Sequence, residues 1–141
     1  MTHEAIVALL AEREAAFRHR DPRAMTHLYA EDAVLVSPIF GNLTGRRAVE
    51  ASHVKLFTVF TDMRIESDPP IVQGDRALQV FNGRASHTSE LFGIPASGRT
   101  FDLRGVFGFT FRNGLIAHER RLYDFTGLLL QLGVLKTRPT P

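Results

Sequence analysis

A chain of 141 residues, 44% hydrophobic and 23% charged, has the size and composition of one globular domain with a core of its own. The formal net charge is only +2, and the basic pairs Arg46-Arg47 and Arg120-Arg121 stand isolated among interspersed acidic residues, a mixed surface that argues against nucleic-acid binding. The lack of cysteine excludes disulfides and Cys-ligated zinc, no apolar run is long enough to span a bilayer, and Met1-Thr2-His3-Glu4 lacks the basic start of a secretion signal, so a cytoplasmic protein without membrane contact is expected.

In chain order, Ile6, Leu9, Leu10 and Phe17 recur at helical spacing and predict a first helix, with Glu12, Arg13 and Glu14 turned elsewhere. Asp21-Pro22 reads as an N-cap and a proline at the first helical position, opening a short second helix that buries Met25, Leu28 and Tyr29. A short strand over 33–36 and a loop over 41–45 lead to a third helix, capped by Thr44 and carrying Val49, His53, Leu56 and Phe60 on one face. Four strands follow. Those over 63–73 and 76–89 are joined at Gly74-Asp75, and those over 101–112 and 115–125 at Asn113-Gly114, a type I′ hairpin signal. A loop over 91–98 links the two hairpins. Helices first and strands after make an α+β domain over 1–135, with 136–141 as a flexible tail.

A two-residue turn at Asn113-Gly114 pairs Phe111 with Ile116, Phe109 with His118, Phe107 with Arg120, Gly105 with Leu122 and Leu103 with Asp124. Opposed residues project from one side of a sheet. One face then holds Phe101, Leu103, Phe107, Phe109, Phe111, Ile116 and Leu122, with His118, Arg120 and Asp124 among them. The other holds Asp102, Arg104, Thr110, Glu119 and Arg121. A carboxylate on an apolar face needs a partner or a reason, and Arg120 lies about 13 Å along the strand from Asp124. Asp124 is therefore the candidate catalytic carboxylate; a bulge would shift this register, and capping of the turn at 126–128 is an alternative role. Tyr29, His53 and Phe57 are further candidates to line the pocket. Six histidines without close paired spacing give no metal motif.

The stretch His87-Thr88-Ser89-Glu90-Leu91-Phe92-Gly93-Ile94-Pro95-Ala96-Ser97-Gly98, the strand after it, and the closing Asp124-Phe125-Thr126-Gly127-Leu128-Leu129-Leu130-Gln131-Leu132-Gly133 resemble the SnoaL-like polyketide cyclases. Tyr29-Ala30-Glu31-Asp32-Ala33 is similar to the wider superfamily named after nuclear transport factor 2. The resemblance implies a cone in which three helices pack on a curved, mostly antiparallel sheet around a deep pocket. It also implies Asp124 as the acid/base of an aldol condensation, His87 as the matching histidine, and neither cofactor nor metal.

These readings lead to a small-molecule enzyme that moves a proton next to a carbonyl, by aldol cyclisation or ketone isomerisation, on an apolar or carbonyl-containing substrate. Epoxide hydrolysis and a non-catalytic ligand-binding or dimerisation module are the alternatives. A homodimer is expected through the outer face, to which this register assigns Val106, Tyr123 and Phe125. The apolar segment 128–135 is expected to fold back as a short turn or helix over the pocket rim or the neighbouring subunit, shielding Asp124 from water; plugging the end of the core without effect on ligand access is the alternative.

Overall fold

The computed structural model describes residues 1–136. Its elements in order are α1 (His3–Arg18), α2 (Pro22–Thr26), β1 (Tyr29–Ser37), β2 (Gly41–Thr44), α3 (Arg46–Val59), β3 (Arg64–Ser67), β4 (Ile71–Gln73), β5 (Arg76–Ser86), β6 (Thr100–Arg112), β7 (Leu115–Tyr123) and α4 (Phe125–Gln131). The strands form one sheet ordered β2-β1-β7-β6-β5-β3, with β4 also paired to β5. Every pairing is antiparallel except β1 with β7. The predicted tail falls mostly on residues 137–141, which lie outside the described residues.

The helix starts follow from their caps. The Thr2 hydroxyl accepts from the Ala5 N–H at 3.1 Å, and the Asp21 carboxylate accepts from the Arg23 and Ala24 N–H groups ahead of Pro22. α3 starts instead at Gly45, whose φ of 96° suits a residue without Cβ; Thr44 ends β2 and does not cap it. The stretch 41–45, expected as a loop, supplies β2, which pairs with β1 from Val34↔Thr44 to Ser37↔Gly41. The single strand expected over 63–73 is two strands. Pro69 and Pro70 cannot donate to a ladder, so pairing stops after Ser67 and resumes at Ile71.

α1 packs against β3 and β4, α3 against β1 and β2, and α4 against β6. The core between helices and sheet is rich in phenylalanine: Phe81, Phe107, Phe109 and Phe111 stand in a row, with the Phe81 and Phe107 rings stacked 4.1 Å apart. No described helix is long and apolar enough to cross a membrane.

The last hairpin departs from the expected register. Arg112↔Leu115 and Phe111↔Ile116 pair as the Asn-Gly turn dictates. Then Thr110 faces His118, so Ala117 is an extra residue on β7 and forms a β-bulge. Beyond it Phe109 faces Glu119, Phe107 faces Arg121 and Gly105 faces Tyr123. One inserted residue exchanges the two sides of a strand. Glu119, Arg121 and Tyr123 therefore turn inward, and His118, Arg120 and Leu122 turn outward, the reverse of the sequence expectation.

Candidate active site

The bulge brings a buried ionic cluster under the phenylalanine row. Glu119 is fully buried and Arg121 only 6% exposed. Arg13, from the inner stripe of α1, donates from Nε to Glu119 Oε1 at 3.2 Å and from Nη2 to Oε2 at 3.1 Å. The Tyr29 hydroxyl donates to Oε1 at 2.5 Å, and Arg121 Nε donates to Oε2 at 2.5 Å. Arg121 Nη2 also donates to His53 Nε2 at 2.8 Å. A guanidinium has no acceptor, so Nε2 of His53 is the unprotonated nitrogen and Nδ1 carries the hydrogen, buried and without a partner. The Arg13 guanidinium lies over Phe107 and Phe109, at 4.5 and 5.1 Å from the ring centres.

Burial by itself would raise the Glu119 carboxyl, but the charges of Arg121 and Arg13 and the Tyr29 hydrogen bond outweigh it and hold it well below the usual carboxylate range. Glu119 is thus an anion with both oxygens already taken, suited to fixing two guanidinium groups and unsuited to proton transfer. Burial, then the Arg121 charge, keeps His53 neutral, well below its ordinary value of 6.5. Burial pushes the Tyr29 phenol up to about 12. Arg13 is raised despite its burial, because Glu119 and Tyr29 favour its charged form.

Above the cluster lies an apolar cavity lined by Phe17, Ile39, Phe40, Leu56, Phe60, Met63, Ile65, Phe81, Phe101, Leu103, Phe107, Arg121, Tyr123 and Leu128. Its polar side chains are Arg121 and Tyr123, two residues apart on β7 and both hydrogen-bond donors. Burial raises the Tyr123 phenol, which keeps it protonated. The volume of this partly open cavity is about 50 Å³, room for a few waters at most and far below the several hundred Å³ of a typical ligand site. A larger hollow of about 620 Å³ is an open trough on the outer sheet face, lined by Ile71, Leu78, Val106, His118, Arg120 and Leu122 among others.

The residues expected at the site are dispersed. Phe101, Leu103 and Phe107 line the cavity. Tyr29 and His53 sit in the ionic cluster beneath it, Phe57 packs edge-on against Phe17, and Phe109 lies beneath the Arg13 guanidinium. His118, Arg120 and Leu122 line the outer trough, because the bulge reverses them. Asp124 does not pair with Leu103. It is exposed just past β7, and its carboxylate accepts from the Gly127 N–H at 2.8 Å as the N-cap of α4. His87 is fully buried and continues the inward alternation of β5; its Nδ1 accepts from the Ser97 N–H at 3.2 Å and meets the Ser97 hydroxyl at 2.9 Å, while its Nε2 is buried without a partner. Asp102 and Arg104 are exposed on the outer face, Asp102 at 3.6 Å from Arg84. Leu128 of α4 forms part of the cavity wall, so the closing segment packs as a short helix against the interior, but it does not shield Asp124, which is exposed. Among the described residues no group of three or more His, Asp or Glu is placed to hold a metal ion.

Arg13, Glu119, Arg121 and Tyr123 escaped the sequence reading. Arg13 had a signal: it falls on the stripe of Ile6, Leu9, Leu10 and Phe17, and a charge at a core position calls for a buried partner.

A family model described as SnoaL-like polyketide cyclase matches residues 8–132. Among solved structures, the chain is similar to TsrD from Streptomyces laurentii, at 26% identity and a TM-score of 0.85 over 96% of this chain and 99% of that one. It is also similar to IdmH from Streptomyces antibioticus, described as a candidate polyketide cyclase, at 25% identity and a TM-score of 0.75 over 89% of this chain and 96% of that one. TerC, co-crystallised with polyporic acid, shares the fold at 21% identity and a TM-score of 0.73 over 92% and 98% of the two chains. A search of curated proteins gave no match.

Proposed function

The chain belongs to the SnoaL-like polyketide cyclase family, and from that premise we propose that it is a small-molecule enzyme working next to a carbonyl, with Arg121 and Tyr123 as its electrophilic edge. The observation that carries this reading is the pairing of an apolar cavity with two hydrogen-bond donors, Arg121 and Tyr123. Aldol cyclisation and ketone isomerisation both pass through an enolate, whose oxygen gains negative charge as the α C–H bond breaks. Donors fixed in a low-dielectric site stabilise that charge without reorganising. Glu119 fixes the Arg121 guanidinium from one side and neutral His53 from another. The described wall residues include no carboxylate, so the proton leaves to water or to the substrate's own basic oxygen; Asp124 would have to release the α4 cap to take it. A ligand larger than a few atoms needs the rim to shift. Phe40 is the natural element to do so, since it lines the cavity and meets Phe92 of the 87–99 loop edge-on at 5.5 Å.

The test is hydrogen–deuterium exchange at the α carbon of β-tetralone, a bicyclic aromatic ketone, followed by NMR in heavy water. The expected result is exchange that rises in proportion to protein and falls about tenfold or more in Arg121→Met, as for loss of an oxyanion donor. Exchange independent of protein concentration would overturn the reading.

A further inference from the structure

The charges in the buried cluster do not balance. Arg13 and Arg121 contribute two positive charges, Glu119 one negative charge, and Tyr29 and His53 none. Glu119 has no capacity left: Oε1 accepts from Arg13 and Tyr29, Oε2 from Arg13 and Arg121. Arginine cannot shed its proton in a protein, so the excess charge persists in the resting site. A buried cation without its own anion is costly. Arg121 uses Nε and Nη2 within the cluster, while its Nη1 makes no hydrogen bond among the described residues, and Arg121 is one of the residues that line the cavity. The opening in the cavity is thus a seat for negative charge beside stacked phenylalanine rings.

We infer that the substrate enters this cavity already as an anion, an aromatic molecule whose carboxylate or acidic enol oxygen is bound by the free edge of Arg121. This rests on the reading of the cone as a small-molecule site and narrows its substrate class. A developing enolate would need the donor only in the transition state; an uncompensated buried cation needs its partner from the start. A carboxylate presents two oxygens to a guanidinium fork, and a vinylogous acid such as a hydroxyquinone spreads the same charge over two oxygens.

The test compares matched probes by isothermal titration calorimetry. Naphthoate is set against acetonaphthone, a neutral methyl ketone of similar shape, and lawsone against its methyl ether. The expected result is that at least one anion binds roughly tenfold or more tightly than its neutral match, as charge-assisted bonding allows. Arg121→Met should then abolish the preference for the anion over its neutral match; Arg121→Lys should retain part of it. The arm that shows the preference tells carboxylate from enol. Equal binding within both pairs overturns the inference and leaves the cone as a site for neutral molecules. Binding of none of the four at millimolar concentration overturns the small-molecule reading itself. Should Arg121→Met fail to fold, the wild-type comparison decides alone.

Discussion

A guanidinium on the inner stripe of a helix is tolerable where a carboxylate meets it, and Arg13 meets Glu119 across 106 positions of sequence. That ion pair dictates the state of its neighbour. His53 faces Arg121 at 2.8 Å, with Glu119 and Arg13 close by, and burial together with the guanidinium charges holds it neutral in the fold. The unfolded chain has no such constraint and takes up a proton at the ordinary 6.5. Between the folded and unfolded values the unfolded state binds more protons, so stability is complete above 6.5 and declines as the pH falls below it. Glu119, also depressed, adds a second loss below its ordinary 4.5. From about pH 7.5 to about pH 5.5 one such histidine costs roughly 1.4 kcal/mol. Urea unfolding across that range is expected to show wild type losing about that much more than His53→Gln, whose side chain can still accept from Arg121. Parallel curves would mean that the fold does not shift the protonation of His53.

The elements show where local signals were enough and where they were not. Asn113-Gly114 set the turn and its first two pairs, Asp21-Pro22 set the start of α2, and alternation placed every β6 side chain on its proper face. The bulge at Ala117 was not legible. Leu122 and Tyr123 are adjacent and both hydrophobic, so β7 reads equally well in either phase, and the choice is made by Arg13, far away in sequence. β2 was missed because four residues of Gly-Asn-Leu-Thr become a strand only through pairing with β1. The same shift relocates Asp124. In the unbulged register it would point inward; past the bulge it is exposed and caps α4, the helix that places Leu128 in the cavity wall. Asp124→Ala is therefore expected to cost about 1 kcal/mol in unfolding and Asp124→Asn a few tenths at most, with neither slowing β-tetralone exchange. Exchange lost in a folded Asp124→Asn would return the role of base to this carboxylate.

For the molecule as a whole, turning ionic residues inward leaves apolar ones outside. Leu122 is 60% exposed, and it shares the outer sheet face with Ile71 at 70%, Leu78 at 53% and Val80 at 46%. The face differs from the one expected: Val106 remains, but Tyr123 lines the cavity and Phe125, at the start of α4, packs against the buried cluster that contains Phe60, Phe101 and Leu128. Ile71, Leu78, Val106 and Leu122 border the outer trough, with Gln73, Arg76, Thr110, His118 and Arg120 as its polar members. Contiguous exposed apolar surface is a mark of association. A twofold axis through a sheet face sets the same patch against itself, so one apolar surface suffices for both partners. Such an interface needs about 800 Å² from each subunit. We predict that the chain forms a homodimer through this face. Light scattering at micromolar concentration is expected to give twice the 15.8 kDa of one chain, and Leu122→Asp to give one chain's mass with β-tetralone exchange retained, since Leu122 faces away from the cavity. A wild-type mass near 15.8 kDa would leave the exposed leucines without a partner of this kind. A dimeric Leu122→Asp would move the interface to another surface.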